Sequence, residues 1–332
     1  MQTKERTMTA ITQHTYGSSE QMHVAEVPLP QPAPDEVLIE VHAAGVDRGV
    51  WHVMTGKPYL IRVTPYGGLR GPKNPVPGSD VAGRVVAVGS EVTRFAEGDE
   101  VFGIGVGAFA EYAVAKETKL VHKPNTVSFD EASTAAVSGI TALQALTETG
   151  RLEPGQSVLV IGAAGGVGSF AVQIARALGG IVTGVASGEK LDLVRALGAS
   201  DTIDYRTENY LDGSRRWDLI IDTGGSNPVS ALRRALHKRG TLVIVGGEGG
   251  NVAGVGRQIG ALLRSIFVKQ RLTSFISAEK TEYIQRLADL MADGAVRPAV
   301  GSTYSLQEAP QAVSDLTDGA IRGKAAVLVR TD

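Results

Sequence analysis

The sequence predicts an α/β protein in two parts, a β-rich domain followed by a doubly wound domain built on a parallel sheet. Three observations carry this. The chain has 332 residues, above the roughly 250–300 at which one hydrophobic core stops growing, so two domains are expected. Up to about Lys123 the pattern is short β-branched or alternating runs broken by Pro and Gly. Beyond Pro124, strand-like runs alternate with helix-like runs, which implies βαβ units.

Taken in order, Val37–Val41, Val81–Val88 and Phe109–Val114 read as strands of a mostly antiparallel sheet. Pro28, Pro30, Pro32 and Pro34 crowd one surface connection, and Gly67–Gly78 forms another. Phe129–Gly150 has the spacing of two helices. Strands then follow at Ser157–Ile161, Ile181–Val185, Thr202–Asp204, Leu219–Asp222 and Thr241–Val245, with helices at Gly166–Leu178, Lys190–Leu197 and Pro228–Leu236 between them. Val158 to Ile161 is apolar on both faces, as a central strand covered by helices requires. After the helical run Glu279–Asp293, the strand-like Ala325–Val329 returns to the β-rich domain.

Charge and composition narrow the chemistry. Lys and Arg total 33 against 35 Asp and Glu, a net charge of −2, so neither a polynucleotide nor an anionic membrane is an expected partner. With no cysteine the chain forms no disulfide, iron–sulfur cluster, thiolate zinc site or cysteine nucleophile. The apolar window Val158–Ala175 is interrupted by Gly162, Gly165, Gly166 and Gly168 and reads as a strand–turn–helix rather than a membrane span. The first residues are polar, with Met8 a candidate start, so a cytoplasmic location is expected.

The turn Ala163-Ala164-Gly165-Gly166-Val167-Gly168 follows an apolar strand and opens an amphipathic helix. That context makes it a dinucleotide fingerprint, although Ala163 stands where the usual pattern has its first glycine. Gly165 lets backbone approach a pyrophosphate, Gly168 permits close helix–strand packing, and the helix N-terminus offers N–H groups to the phosphates. NAD sites place an acid about 20 residues on, to accept from the ribose 2′-OH. Here Ser187 occupies that place and Lys190 follows, a hydroxyl and a charge suited to a 2′-phosphate. NADPH is therefore the expected cofactor, with Glu189 the residue that a register shift would turn toward a bare ribose.

Together with this turn, several segments resemble the medium-chain dehydrogenase/reductase superfamily, in its zinc-free quinone oxidoreductase and enone reductase branch. They are Pro77–Gly83, Gly98–Gly103, Gly107–Tyr112, Leu197–Ala199 with Ile203–Tyr205, and Gly323-Lys324. The resemblance runs from about Met8 to Arg330. It implies a GroES-like β-rich catalytic domain plus a Rossmann doubly wound parallel-sheet domain, with the active site in the cleft between them. The divisions expected are 1–125 for the first part of the catalytic domain, 126–295 for the NADP-binding domain and 296–332 for the return.

The resemblance also assigns roles. Thr141, Gly246, Gly247, Phe275 and Ile276 would line the nicotinamide end, Ser187, Lys190 and Tyr205 would hold the adenosine 2′-phosphate, and Lys324 joins the cofactor residues. Zinc-dependent relatives place a metal-binding cysteine where this chain has Asp47, and Gly-His-Glu where it has Gly78-Ser79-Asp80. Quinone-reductase relatives usually have Asn at the position of Asp47. No metal is expected, and His42 and His52 read as packing or hydrogen-bonding residues. Tyr59 is the first candidate proton donor and Asp47 the second polar group, against the plainer readings of a cleft aromatic and a turn-capping carboxylate. The implied activity is NADPH-dependent reduction of a quinone or an α,β-unsaturated carbonyl compound. Zinc-free carbonyl reduction and a non-catalytic NADPH sensor are the alternatives. A homodimer is expected, by resemblance and because Phe267–Thr273 reads as an edge strand that would seek a partner.

Overall fold

The computed structural model describes residues 6–246, 260–261, 265 and 268–330. The chain divides into two compact units. One runs to Val137 and takes back Glu279–Gly294 and the chain from Pro298; the other comprises Ser138–Ala278 with Ala295–Arg297. The first division falls later than residue 125, and the second earlier than 295, for a packing reason. Helix Phe129–Ser133 lies on the strands of the first unit, and helix Thr281–Ala292 packs on Leu120–His122 of that unit.

The first unit is β-rich. A two-stranded ribbon, β1 (Thr7–Thr12) with β2 (His23–Pro28), accompanies a seven-stranded sheet. That sheet comprises β3 (Glu36–Val46), β4 (Asp80–Val88), β5 (Glu100–Ile104), β6 (Tyr112–Lys116), β7 (Leu120–His122), β14 (Val300–Ser305) and β15 (Lys324–Leu328). Its order is β14-β15-β3-β4-β5-β7, with β6 also on β3. All pairings are antiparallel except β14 with β15. The tail thus does return, Val327 pairing with Ala44. Val37, Ile39, Val41, Val81, Val101 and Val327 are all fully buried in one core.

The expected strand Phe109–Val114 begins instead at Tyr112. Gly107 takes a left-handed φ of 76°. Phe109, fully buried, donates its N–H to Pro77 O and accepts from Ile11 N–H rather than joining the sheet.

The second unit is the doubly wound one. Its strands β8 (Ser157–Ile161), β9 (Ile181–Ala186), β10 (Asp201–Asp204), β11 (Trp217–Asp222), β12 (Leu236–Ile244) and β13 (Arg271–Ser274) form one parallel sheet in the order β10-β9-β8-β11-β12-β13. Strand order reverses between β8 and β11, and in such sheets ligands bind beyond the carboxyl ends at that point. Helices Ala136–Gln144, Gly166–Ala177, Leu191–Ala196 and Val229–Arg234 occupy their expected stretches. The edge strand is shorter than expected: it starts at Arg271, Val268–Gln270 are bent backbone outside it, and Phe267 lies outside the described residues.

Candidate cofactor and active site

The glycine turn of the second unit is made by close backbone approach. After β8, Gly162 adopts a left-handed φ of 78°. Its N–H and that of Ala163 both donate to Val185 O, at 3.1 and 3.0 Å, tying the turn to the end of β9. Ala163 replaces the motif's first glycine, and Gly162, one residue earlier, supplies the backbone freedom instead. A Cβ on Gly168 would stand 2.0 Å from Gly162 O, so the helix rests on the turn and only glycine fits. A Cβ on Gly165 would meet only Gly162 O, at 3.2 Å, leaving that face open to a ligand.

Gly165 caps helix Gly166–Ala177 in extended backbone. The N–H groups of Gly166, Val167 and Gly168 are in its first turn and have no carbonyl within the helix to serve; with the helix dipole they favour an anion. Ala164 is 4% exposed beneath them. The residues present therefore fit a pyrophosphate.

A cavity of about 680 Å³ opens beside this turn, at the carboxyl ends of β8, β9 and β11. Ile161, Ala186, Tyr205, Arg206, Gly224 and Asn227 are among its lining residues. Tyr205 N–H donates to Ala186 O at 3.2 Å, holding the exit of β10 against the exit of β9. Ser187, 6% exposed, follows Ala186 and opens the short helical turn Gly188–Lys190. A Cβ on Gly188 would come 2.6 Å from Asp204 Oδ2, so these two strand exits are in close contact. Ser187, Lys190 and Tyr205, expected at the 2′-phosphate, are thus on neighbouring loops at one end of the sheet.

Arg206 was not among the expected residues. Its guanidinium pairs with Glu189 at 2.8 Å and lies 5.8 Å from the Tyr205 ring centre. A hydrogen bond from backbone N–H and one from the Ser187 hydroxyl hold the Glu189 carboxyl below its ordinary range, helped by the charges of Arg206 and Lys190. The available signal was the Asp204-Tyr205-Arg206 run at the end of the third strand of this sheet.

Thr141 lies on helix Ala136–Gln144. Gly246, with φ 84°, follows β12, and Phe275 and the 97% exposed Ile276 follow β13. These three leave the sheet at the same end as the cavity. Gly247 lies outside the described residues.

The candidates in the β-rich unit have different surroundings. Asp47 is 5% exposed and caps helix Arg48–Thr55, its Oδ1 accepting from Val50 N–H at 3.1 Å, while Oδ2 is buried with no hydrogen bond. Tyr59 opens the short turn Tyr59–Val63, is 43% exposed, and has the Arg62 guanidinium 4.7 Å from its ring centre. His42 stacks on Phe129 at 4.1 Å, and His52 Nδ1 lies 2.7 Å from Lys57 O.

Lys324, expected among the cofactor residues, stands at the start of β15 in this unit, where the return of the chain was expected. It is 1% exposed and donates to Val46 O at 3.3 Å, with Asp80 Oδ2 at 3.9 Å. The reason is register: Ala325 pairs with Val46, which turns the preceding lysine toward the end of β3 and the start of β4.

Residues 33–125 match the alcohol dehydrogenase GroES-like domain family, and residues 197–327 match the zinc-binding dehydrogenase family. A chloroplastic quinone oxidoreductase of Triphysaria versicolor is 32% identical over 326 residues, 94% of each chain. The quinone oxidoreductase of Coxiella burnetii superposes with a TM-score of 0.86 at 27% identity, over 98% of this chain and all of that one. Escherichia coli quinone oxidoreductase, solved with NADPH, gives 0.82 at 25% identity over 97% of this chain and all of the other. Sequence, fold and the glycine turn agree, and the chain belongs to the quinone oxidoreductase branch of the medium-chain dehydrogenase/reductase superfamily.

Proposed function

We propose that this chain is an NADPH-dependent reductase that passes hydride to a quinone or an α,β-unsaturated carbonyl compound without a zinc ion. The observation that carries the cofactor choice is the end of β9, where Ala186-Ser187 stands in place of an acid and Lys190, Tyr205 and Arg206 follow on adjoining loops. A relative of the same branch was solved with NADPH.

When bound, the nicotinamide supplies the hydride. The chain's own residues do the rest. The Gly165–Gly168 turn holds the pyrophosphate, Ser187, Lys190 and Tyr205 fix the adenosine 2′-phosphate, and Thr141, Gly246 and Phe275-Ile276 orient the far end. The Tyr59 hydroxyl donates a hydrogen bond or a proton to the oxygen on which charge develops, and Asp47 is the second polar group. A quinone or enone is polarised by its own conjugation, so the step does without a Lewis acid. Asp47 and Ser79 at the positions of zinc ligands, in a chain without cysteine, suit that chemistry.

The test is NADPH oxidation followed at the nicotinamide absorbance with quinones, enones and saturated ketones, before and after dialysis against a chelator. Quinones or enones should outrun saturated ketones, and dialysis should leave rates unchanged. Equal kcat/KM on a saturated ketone would shift the reading to a carbonyl reductase. NADPH binding without turnover on any acceptor would shift it to a sensor.

A further inference from the structure

Glu189 forms an ion pair with Arg206, which lines the cavity; the two are 2.8 Å apart and 55% and 58% exposed. Their positions matter more than their strength, since an exposed pair of this kind adds little to stability. Besides a backbone N–H, Glu189 draws on two side-chain donors, the Ser187 hydroxyl and the Arg206 guanidinium. Both stand beside the site read as the 2′-phosphate site, one on the loop after β9 and the other on the loop after β10. Asp204 Oδ1 accepts from Arg206 N–H at 2.9 Å, which fixes the backbone from which the guanidinium reaches. The carboxylate of Glu189 therefore stands among the groups that a dianionic phosphate would engage.

We propose that Arg206 is a further specificity-determining residue for NADPH and that Glu189 is its exchangeable counter-ion. A 2′-phosphate displaces the Glu189 carboxylate from Arg206 and Ser187, trading one ion pair for a stronger one. The guanidinium's paired donors suit a phosphate better than a single carboxylate oxygen. Glu189 then leaves for solvent, which its exposure allows. This makes the carboxylate a competitor of the phosphate: it lowers NADPH affinity while keeping Arg206 positioned in the free protein. With NADH, which lacks the phosphate, the resident pair is undisturbed. The inference rests on the NADPH reading above and adds to it two further residues that tune the preference.

The experiment measures binding rather than turnover. Adenosine 2′,5′-bisphosphate and AMP, which differ by the 2′-phosphate alone, are titrated by calorimetry into the wild-type protein and into Arg206→Gln, Arg206→Lys and Glu189→Gln. Both side chains are exposed, so the variants should fold, and circular dichroism checks that they do. Arg206→Gln should weaken the bisphosphate roughly 10- to 100-fold and AMP less than about 2-fold, with Arg206→Lys recovering part of the loss. Glu189→Gln should tighten the bisphosphate several-fold and leave AMP unchanged. The exchange is overturned if Arg206→Gln affects both probes alike or neither, or if Glu189→Gln weakens the bisphosphate. A wild-type protein that binds the two probes equally would remove the NADPH reading itself, and the exchange with it. Discrimination that persists undiminished in Arg206→Gln would remove only the exchange.

Discussion

Lys324 faces Asp80 at 3.9 Å with side chains 1% and 0% exposed, an acid and a base sealed together where β15, β3 and β4 meet. Asp80 Oδ1 accepts from Val137 N–H at 2.8 Å, while Oδ2 has no hydrogen bond. Burial first, then the nearby charge of Asp47, pushes the Asp80 carboxyl up to about 8, against the pull of Lys324. The two carboxyls and one ammonium are balanced when one proton is retained.

This predicts a pH dependence of stability. The unfolded carboxyl ionises near its ordinary 3.8 and the folded one near 8, so folding takes up a proton between those limits. The contribution is fully present below about 4 and is lost progressively as pH rises to about 8. Urea unfolding at pH 6 and pH 8 should show Asp80→Asn losing less stability over that interval than the wild type; identical losses would refute the assignment. Lys324→Met removes the cation that pulls the Asp80 carboxyl down, so the pH range over which stability is lost should move to higher pH than in the wild type.

Gly168→Ala places a Cβ 2.0 Å from Gly162 O, and neither atom belongs to a flexible side chain. The helix must move off the turn proposed to hold the phosphates. We expect a lower melting temperature and loss of nucleotide binding by fluorescence titration. Gly165→Ala, with its nearest contact at 3.2 Å, should melt much closer to the wild type while still weakening nucleotide.

Lys190→Ala should weaken NADPH about 10- to 100-fold, from the loss of a charge-assisted hydrogen bond. NADH affinity should hardly change. Equal weakening of the two would indicate damage to the turn Gly188–Lys190 rather than loss of a phosphate contact.

Asp47 caps a helix through one oxygen and leaves the other buried and unbonded. Asp47→Asn keeps an acceptor for Val50 N–H and should fold as well as the wild type. Asp47→Ala should lose about 1 kcal/mol in urea titration. If Asp47→Asn also slows turnover at saturating acceptor, the carboxyl serves the reaction as well as the helix.

A homodimer is expected by resemblance to the branch and because, among the described residues, β13 (Arg271–Ser274) ends the parallel sheet with an edge that can take a partner. Light scattering at micromolar concentration should give twice the 34.7 kDa chain mass. A single chain mass would mean that Arg271 and Lys269 blunt the edge.

The sequence made the parallel sheet legible because its strands are covered on both faces: Val158 to Ile161 are at most 4% exposed, and such runs stand out against the amphipathic helices between them. Pairings between distant segments were less visible. Phe109 leaves its expected strand for Pro77 and Ile11, partners 32 and 98 residues away by number. Arg206 gains its meaning from Glu189, 17 residues earlier. Lys324 read as a residue before the last strand; only the register of β15 on β3 sets it against Val46 and Asp80. The glycine turn, by contrast, is local, and even its substitution at Ala163 left a neighbour able to take the left-handed conformation.

The long β3 takes partners made at very different times. Its first half, Glu36–Glu40, pairs with Tyr112–Lys116, but Ala43–Val46 pairs with Ala325–Leu328. On a ribosome adding about 5–20 residues per second, the second half of β3 waits on the order of 10–40 s after β6 is made. The whole Ser138–Ala278 segment emerges in that interval and can complete its own sheet first. Until the last strand arrives, β3 keeps an open edge beside an acid whose lysine has not yet been synthesised. Newly made chains should therefore be most vulnerable to chaperone capture or mispairing at this seam, and loss of the final strand should leave the nucleotide-binding unit folded while the β-rich unit fails.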